Sequence, residues 1–444
     1  MLDAIFKAYD IRGTYPDQLD EDTARRIGNA FAAFTKAERL VVARDMRPSS
    51  RPLSAAFIEG ATTAGASVVD AGLASTDLMY FASGRLDAPG AMFTASHNPA
   101  QYNGIKLCRA GAAPVGADSG LADIKAAVAG GNVVEADRPG TAATADLLGD
   151  FADHVLGFAD PSVLRPLRVV ADVANGMGGL VVPKVFERLP FELTVLFGEL
   201  DGTFPNHPAD PIQPENLRDL QAAIAELDAD VGLAFDGDAD RVFLVDDRSQ
   251  PLSGSLTTSI VAKGILSANP GETVVHNLIC SKAVPEIITE TGGTPVRTRV
   301  GHSFIKAVMA ETGAVFGGEH SGHYYFRDNW RADSGLIAAV VVLTQLCAAG
   351  MPLSELRRPF ERYVASGEIN TEVADQAAAM EAVAEAYRHC DTERLDGLSV
   401  DCGDFWFNLR PSNTEPLLRL NLEAPDDATC RARTGEVLDR IRST

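Results

Sequence analysis

The stretch Val231-Gly-Leu-Ala-Phe235-Asp236-Gly237-Asp238-Ala239-Asp240-Arg241 decides the fold. Its first five residues are apolar without interruption, the mark of a strand covered on both faces in a parallel sheet. Three acids follow on the connection leaving the strand's C-terminal end, where α/β sheets place their ligands. The same grammar recurs in Leu40-Val-Val-Ala-Arg44-Asp45, Leu167-Arg-Val-Val-Ala-Asp172 and Thr273-Val-Val-His276, each read as a strand leading toward a helix. Alanine-rich amphipathic stretches, Leu217 to Leu227 and Phe304 to Ala310, supply covering helices.

The chain has 444 residues, room for about three domains at ~150 residues each. Breaks are expected at Gly130 to Ala145, Asp246 to Gly254 and Gly350 to Ser366. Beyond them come a helical run (Val373 to Tyr387), two strand-like runs near Phe405–Leu409 and Leu417–Leu422, and a helix from Asp427. This reads as three α/β units, 1–140, 141–248 and 249–363, with parallel or mixed sheets. A smaller α+β domain, 364–444, follows.

A net charge of −22 argues against nucleic acid and anionic membranes as partners. The N-terminus carries no secretory pattern, and the apolar run from Leu336 to Ala349 is too short to span a bilayer. Six scattered cysteines give neither a zinc ribbon nor a disulfide framework, which suits a reducing, cytoplasmic setting.

Four stretches carry chemistry. Asp236, Asp238 and Asp240, separated only by small residues, repel one another unless a hard cation sits among them, Mg²⁺ before Ca²⁺ or Mn²⁺. Thr94-Ala-Ser96-His97-Asn98-Pro99, followed by Lys106, puts a hydroxyl on a turn expected to be exposed. Gly317-Gly-Glu319-His320-Ser321-Gly322-His323 offers mixed donors and acceptors on a pliable backbone, suited to vicinal sugar hydroxyls. Arg410-Pro-Ser412-Asn413-Thr414-Glu-Pro416, with Arg419 beyond, makes a phosphate cradle.

Together and in this order, the four stretches resemble the α-D-phosphohexomutase family, whose marks are a TASHNP phosphoserine loop, a DGDxDR metal loop, a GExSGH sugar loop and an RPSNTEP phosphate loop. The resemblance covers nearly the whole chain. It implies four domains around a central cleft, a phosphoryl group carried on Ser96, and Mg²⁺ held by the three aspartates with an oxygen of that phosphoserine. Glu319 and Ser321 match the sugar contacts and His323, a candidate substrate contact, lies in the same loop, while Arg410, Ser412, Asn413 and Thr414 match the site for the non-reacting phosphate. Tyr9, Arg12, Lys106, Arg241 and His302 match cleft residues. One position departs: Ile279-Cys280-Ser281 stands where several relatives begin the triplet with Lys, with Lys282 and Arg299 nearby.

The implied activity is interconversion of mannose 6-phosphate and mannose 1-phosphate through a hexose 1,6-bisphosphate, with glucose phosphates also accepted. Hexose phosphates would be the partners. Phosphoglucomutase and phosphoglucosamine mutase are the alternatives within the family. An aspartyl-phosphate hydrolase using Asp238 and a non-catalytic sugar-phosphate binder are the alternatives outside it. The general base lies among Lys106, His97, Arg12 and His302.

Overall fold

The computed structural model describes residues 2–412 and 417–443. They form two compact units, one running through Ser253 and including Ser321–Leu356, the other made of Gly254–His320 and the chain from Arg357 onward.

The first unit holds two sheets. In the larger, Arg39–Arg44 lies between Ser67–Leu73 and Gly90–Phe93, parallel to both. Tyr102–Arg109 then runs antiparallel to Gly90–Phe93 and carries Ile11–Thr14 on its far side. Leu40 to Ala43 are fully buried, as a strand covered on both faces requires. The helices Glu21–Thr35 and Ser50–Thr63 pack against each other at very close range, with Gly28 and Gly60 at the contact, and Ser50–Thr63 also packs on this sheet.

The second sheet runs Val242–Asp246, Val231–Phe235, Arg168–Asp172, Glu192–Leu196. The last three are mutually parallel. Val231–Phe235 does not lead into a helix, as its run suggested. Val242–Asp246 is itself apolar and fully buried, and it returns antiparallel with Phe235 opposite Val242. The acidic stretch is therefore the connection of a hairpin.

In the second unit, Thr273–Asn277 pairs in parallel with Thr294–Thr298 and Phe316–Gly318. The C-terminal part is α+β, as expected. Five antiparallel strands, from Val364–Glu372 at one edge to Asp391–Glu393 at the other, share one core with helices Gln376–Ala386 and Asp427–Arg442. Cys390 and Cys402 are joined by a disulfide, contrary to the expectation of six unpaired cysteines. The register explains it, because they flank the cross-strand pair Asp391 and Asp401. Among the described residues no single helix is long and apolar enough to cross a membrane, and Gly335–Ala349 is a buried core helix.

Candidate active site

Ser96 lies at the end of Gly90–Phe93, on the segment turning back into Tyr102–Arg109. It was expected to be exposed, but its relative exposure is 6%. The backbone enters the left-handed region there (φ 48°), a conformation that a side-chain-bearing residue keeps only where its surroundings hold it. The Thr94 hydroxyl accepts from Ser96 N at 2.9 Å. The Ser96 hydroxyl donates to Asp236 Oδ2 at 2.7 Å. His97 Nδ1 is 3.2 Å from Ser96 Oγ, so the adjacent imidazole reaches the serine. Burial, with Arg241 and Arg12 nearby, lowers His97 to about 3, leaving the ring neutral.

Asp236, Asp238 and Asp240 are all buried, and one oxygen from each lies within 4.8 Å of the others. Two cations face them. Lys106 Nζ sits 2.8 Å from Asp238 Oδ2 and 2.6 Å from Asp240 Oδ2, and Arg241 Nε sits 2.9 Å from Asp236 Oδ2. Burial works to lower Lys106, but the two carboxylates overcome it and hold the ammonium well above the usual lysine range. Burial also pushes Asp236 up to about 8, helped by its two acidic neighbours and opposed by Arg241. Asp238 is held well below the carboxylate range; burial would raise it, but Lys106 prevails, with a hydrogen bond from Thr76 Oγ1 at 2.6 Å.

Asp238 Oδ1 and Asp240 Oδ1 are buried without a hydrogen-bond partner. Two such acceptor oxygens, beside a third carboxylate and the Ser96 hydroxyl, fit a hard divalent cation.

Around this centre the structure gathers most of the other residues anticipated for the first unit. Arg12 donates to Asn98 Oδ1 at 2.6 Å and to Asp10 Oδ2 at 2.5 Å. Tyr9 is half-buried just before the strand that carries Arg12. His323 Nε2 is 3.8 Å from Asp240 Oδ1, and its Nδ1 is 3.1 Å from Ser321 Oγ.

The second unit carries the others. Glu319 is buried, its Oε1 accepting from Gly301 N at 3.2 Å and Asn277 Nδ2 at 3.3 Å. His302 opens the helix His302–Thr312 beside it in sequence. Arg410 and Arg419 face each other across adjacent strands, and both approach Glu368, at 3.4 and 3.5 Å. Two cations directly opposite repel. Glu368 relieves part of that, and the buried Nε of each guanidinium has no hydrogen-bond partner among the described residues. Ser412 ends this stretch, its amide bound to Leu417 O at 2.9 Å, while Asn413 and Thr414 lie outside the described residues. Ile279 is buried. Of the two cations near it in sequence, Lys282 pairs with Asp401 at 2.8 Å and Arg299 stacks on Phe304 at 4.4 Å.

Sequence reasoning missed Arg47, Asp45 and Thr76. Arg47 is fully buried beneath the Ser96 segment. The available signal was Asp45-Met-Arg47, charged residues leaving the C-terminal end of an apolar strand.

Descriptions of the four phosphoglucomutase/phosphomannomutase domains match the chain in order: domain I at residues 3–132, domain II at 150–250, domain III at 253–363 and the C-terminal domain at 368–440. A phosphomannomutase of Salmonella montevideo is 40% identical over 453 residues, covering 99% of each chain. A protein of Xanthomonas campestris pv. campestris described as phosphohexose mutases is 40% identical over 98% of this chain and 99% of its own. The crystal structure of a phosphoglucomutase/phosphomannomutase family protein from Burkholderia thailandensis superposes with a TM-score of 0.91 at 33% identity, covering 99% of this chain and 96% of that one.

Proposed function

The chain belongs to the phosphoglucomutase/phosphomannomutase family, and from that premise we propose that it interconverts mannose 6-phosphate and mannose 1-phosphate and also accepts glucose phosphates. The observation that carries the reading is the Ser96 hydroxyl, 2.7 Å from Asp236 Oδ2 at the edge of a buried three-carboxylate cluster. A structural serine needs no such company. A phosphoryl carrier does, because the negative charge of the transferring group must be met by positive charge, and three carboxylates beside it would hold the Mg²⁺ that supplies it.

In this reading the resting enzyme carries phosphate on Ser96. The Oγ–P bond breaks as the free hydroxyl of the bound monophosphate bonds to phosphorus, and the proton that hydroxyl gives up passes through a general base of the cleft to end on Ser96 Oγ. The resulting hexose 1,6-bisphosphate reverses its orientation and returns its other phosphate to Ser96. Asp236, Asp238 and Asp240 would hold Mg²⁺, which supplies positive charge to the phosphate oxygens. Lys106 and Arg241 balance the carboxylates. His97, kept neutral, adds no charge beside the hydroxyl. Glu319, Ser321 and His323 would take the sugar hydroxyls, with Tyr9, Arg12 and His302 as further contacts. Arg410 and Arg419, with Ser412, Asn413 and Thr414, would grip the phosphate that does not react. The domain limits 1–140, 141–248, 249–363 and 364–444 and a cytoplasmic location belong to the same proposal.

The test is a comparison of kcat/KM for mannose, glucose and glucosamine 1-phosphates, primed with glucose 1,6-bisphosphate. Mannose and glucose phosphates are expected to turn over comparably, and glucosamine 1-phosphate far more slowly. A preference for glucosamine 1-phosphate would reject the sugar assignment.

A further inference from the structure

The Arg47 guanidinium has five N–H groups, and the structure gives each an acceptor. Nε donates to Asp45 Oδ2 at 3.1 Å. Nη1 donates to the carbonyls of Pro99 and Tyr102, at 2.8 and 3.1 Å. Nη2 donates to those of Ser96 and Asn98, at 2.8 and 2.7 Å. Four carbonyls of one short segment thus converge on a single planar fork. No other side chain has the donors to satisfy that arrangement, and Lys has only three.

The fork is itself held. Asp45 is fully buried and also accepts from Ser50 Oγ at 2.5 Å and Arg47 N at 3.0 Å. On its other side the guanidinium lies over the Phe204 ring at 5.0 Å. A Cβ on Gly202 would come within 2.4 Å of Arg47 Cα, so the loop carrying Phe204 closes directly on this residue. The left-handed turn at Ser96 is the strain that such a clamp holds in place.

We propose that Arg47 is a positioning residue for phosphoryl transfer. By drawing the carbonyls of residues 96, 98, 99 and 102 to one side, it fixes the Ser96 backbone and aims its oxygen at the aspartate cluster. This rests on the reading of Ser96 as phosphoryl carrier. Arg47 does not touch the hydroxyl and acts only through the backbone.

The experiment compares full-length wild type with Arg47→Lys, which keeps the charge and loses the fork. Circular dichroism gives the folded fraction. Steady-state kinetics with mannose 1-phosphate and glucose 1,6-bisphosphate give kcat and KM. Hydrogen exchange by mass spectrometry reads the peptide spanning residues 94–104. We expect folded protein, kcat lower by about a hundredfold and KM within about threefold, the split left when geometry at the reacting atom is lost and binding is kept. Exchange in 94–104 should rise by about tenfold or more while the helix Gly335–Ala349 is unchanged. A kcat near wild type per folded molecule, or unchanged exchange in 94–104, overturns the proposal. Should Arg47→Lys not fold, Asp45→Asn loosens the same fork from its far end, and a folded Asp45→Asn with wild-type kcat and loop exchange overturns it equally. Absence of turnover in wild type with mannose, glucose and glucosamine 1-phosphates alike would instead reject the Ser96 reading, and the exchange measurement would still decide whether the clamp exists.

Discussion

Gly237 stands between the first two acids of the cluster, and a methyl group there would lie 2.5 Å from the Ser96 carbonyl oxygen. The loops of the two sheets touch backbone to backbone at that point. Gly237→Ala should push Ser96 away from Asp236, cutting kcat by about a hundredfold and costing about 1–3 kcal/mol of stability. Parallel kinetics and urea unfolding would check both. Lys106 makes a different prediction. It faces Asp238 and Asp240, themselves buried, so Lys106→Met leaves two carboxylates without their cation. Removing one partner of a buried pair costs about 3–5 kcal/mol. If the cluster binds Mg²⁺, the ion restores the missing charge and stabilises the folded form by mass action. The variant's melting temperature should therefore fall sharply in chelator and recover with Mg²⁺ far more than the wild type gains. An equal Mg²⁺ response in both proteins would separate Lys106 from the metal site.

Between elements, the decisive contact is that of the helices Glu21–Thr35 and Ser50–Thr63. A Cβ at Gly60 would lie 1.9 Å from Arg25 O, and one at Gly28 2.1 Å from Phe57 O. Backbone cannot yield as a side chain does. Gly60→Ala should force the helices apart and lower stability by about 1–3 kcal/mol, read as a shifted urea midpoint at unchanged slope. The strand Thr273–Asn277 adds a pH test. Burial lowers His276 to about 4, and its Nδ1 is 3.0 Å from Asn277 O. The unfolded chain binds the proton near pH 6.5 and the folded chain only near 4, so stability is full above 6.5 and drains as pH falls through that window. His276→Gln should flatten that part of the profile, by at most about 3 kcal/mol. The buried strands were legible because a sheet covered on both faces demands unbroken apolar runs. The return of Val242–Asp246 was not, since such a run does not say which way its partner points. Arg47 was illegible for a related reason: its partners, 49 to 55 residues away, meet it only after folding. The Cys390–Cys402 bridge likewise follows from strand register rather than cysteine spacing.

The chain carries a net charge of −22, so an anionic ligand can be held only where cations are gathered locally. The structure gathers them in two places. Arg12, Arg47, Lys106 and Arg241 surround the Ser96 segment in one unit, and Arg410 pairs with Arg419 across strands in the other. If the second holds the non-reacting phosphate, it must serve the 1-phosphate and the 6-phosphate alike. Arg410→Ala should then weaken both by a similar factor, roughly tenfold to a hundredfold from ~1.5–3 kcal/mol per charged hydrogen bond, and raise the requirement for added bisphosphate. Titration with each monophosphate checks this, and a loss confined to one would assign the turn another task.

In the proposed reaction Ser96 carries the phosphoryl group. Its most direct test is to incubate the protein with glucose 1,6-bisphosphate and Mg²⁺, quench, and map phosphate by peptide mass spectrometry in wild type and Ser96→Ala. Acid-stable phosphate is expected on the peptide holding Ser96 and none in Ser96→Ala, and when excess mannose 6-phosphate is added Ser96 should stay phosphorylated while its original phosphoryl group passes to the sugar. Phosphate found on another residue, or acid-labile phosphate on Asp238, in protein that turns over normally would contradict it.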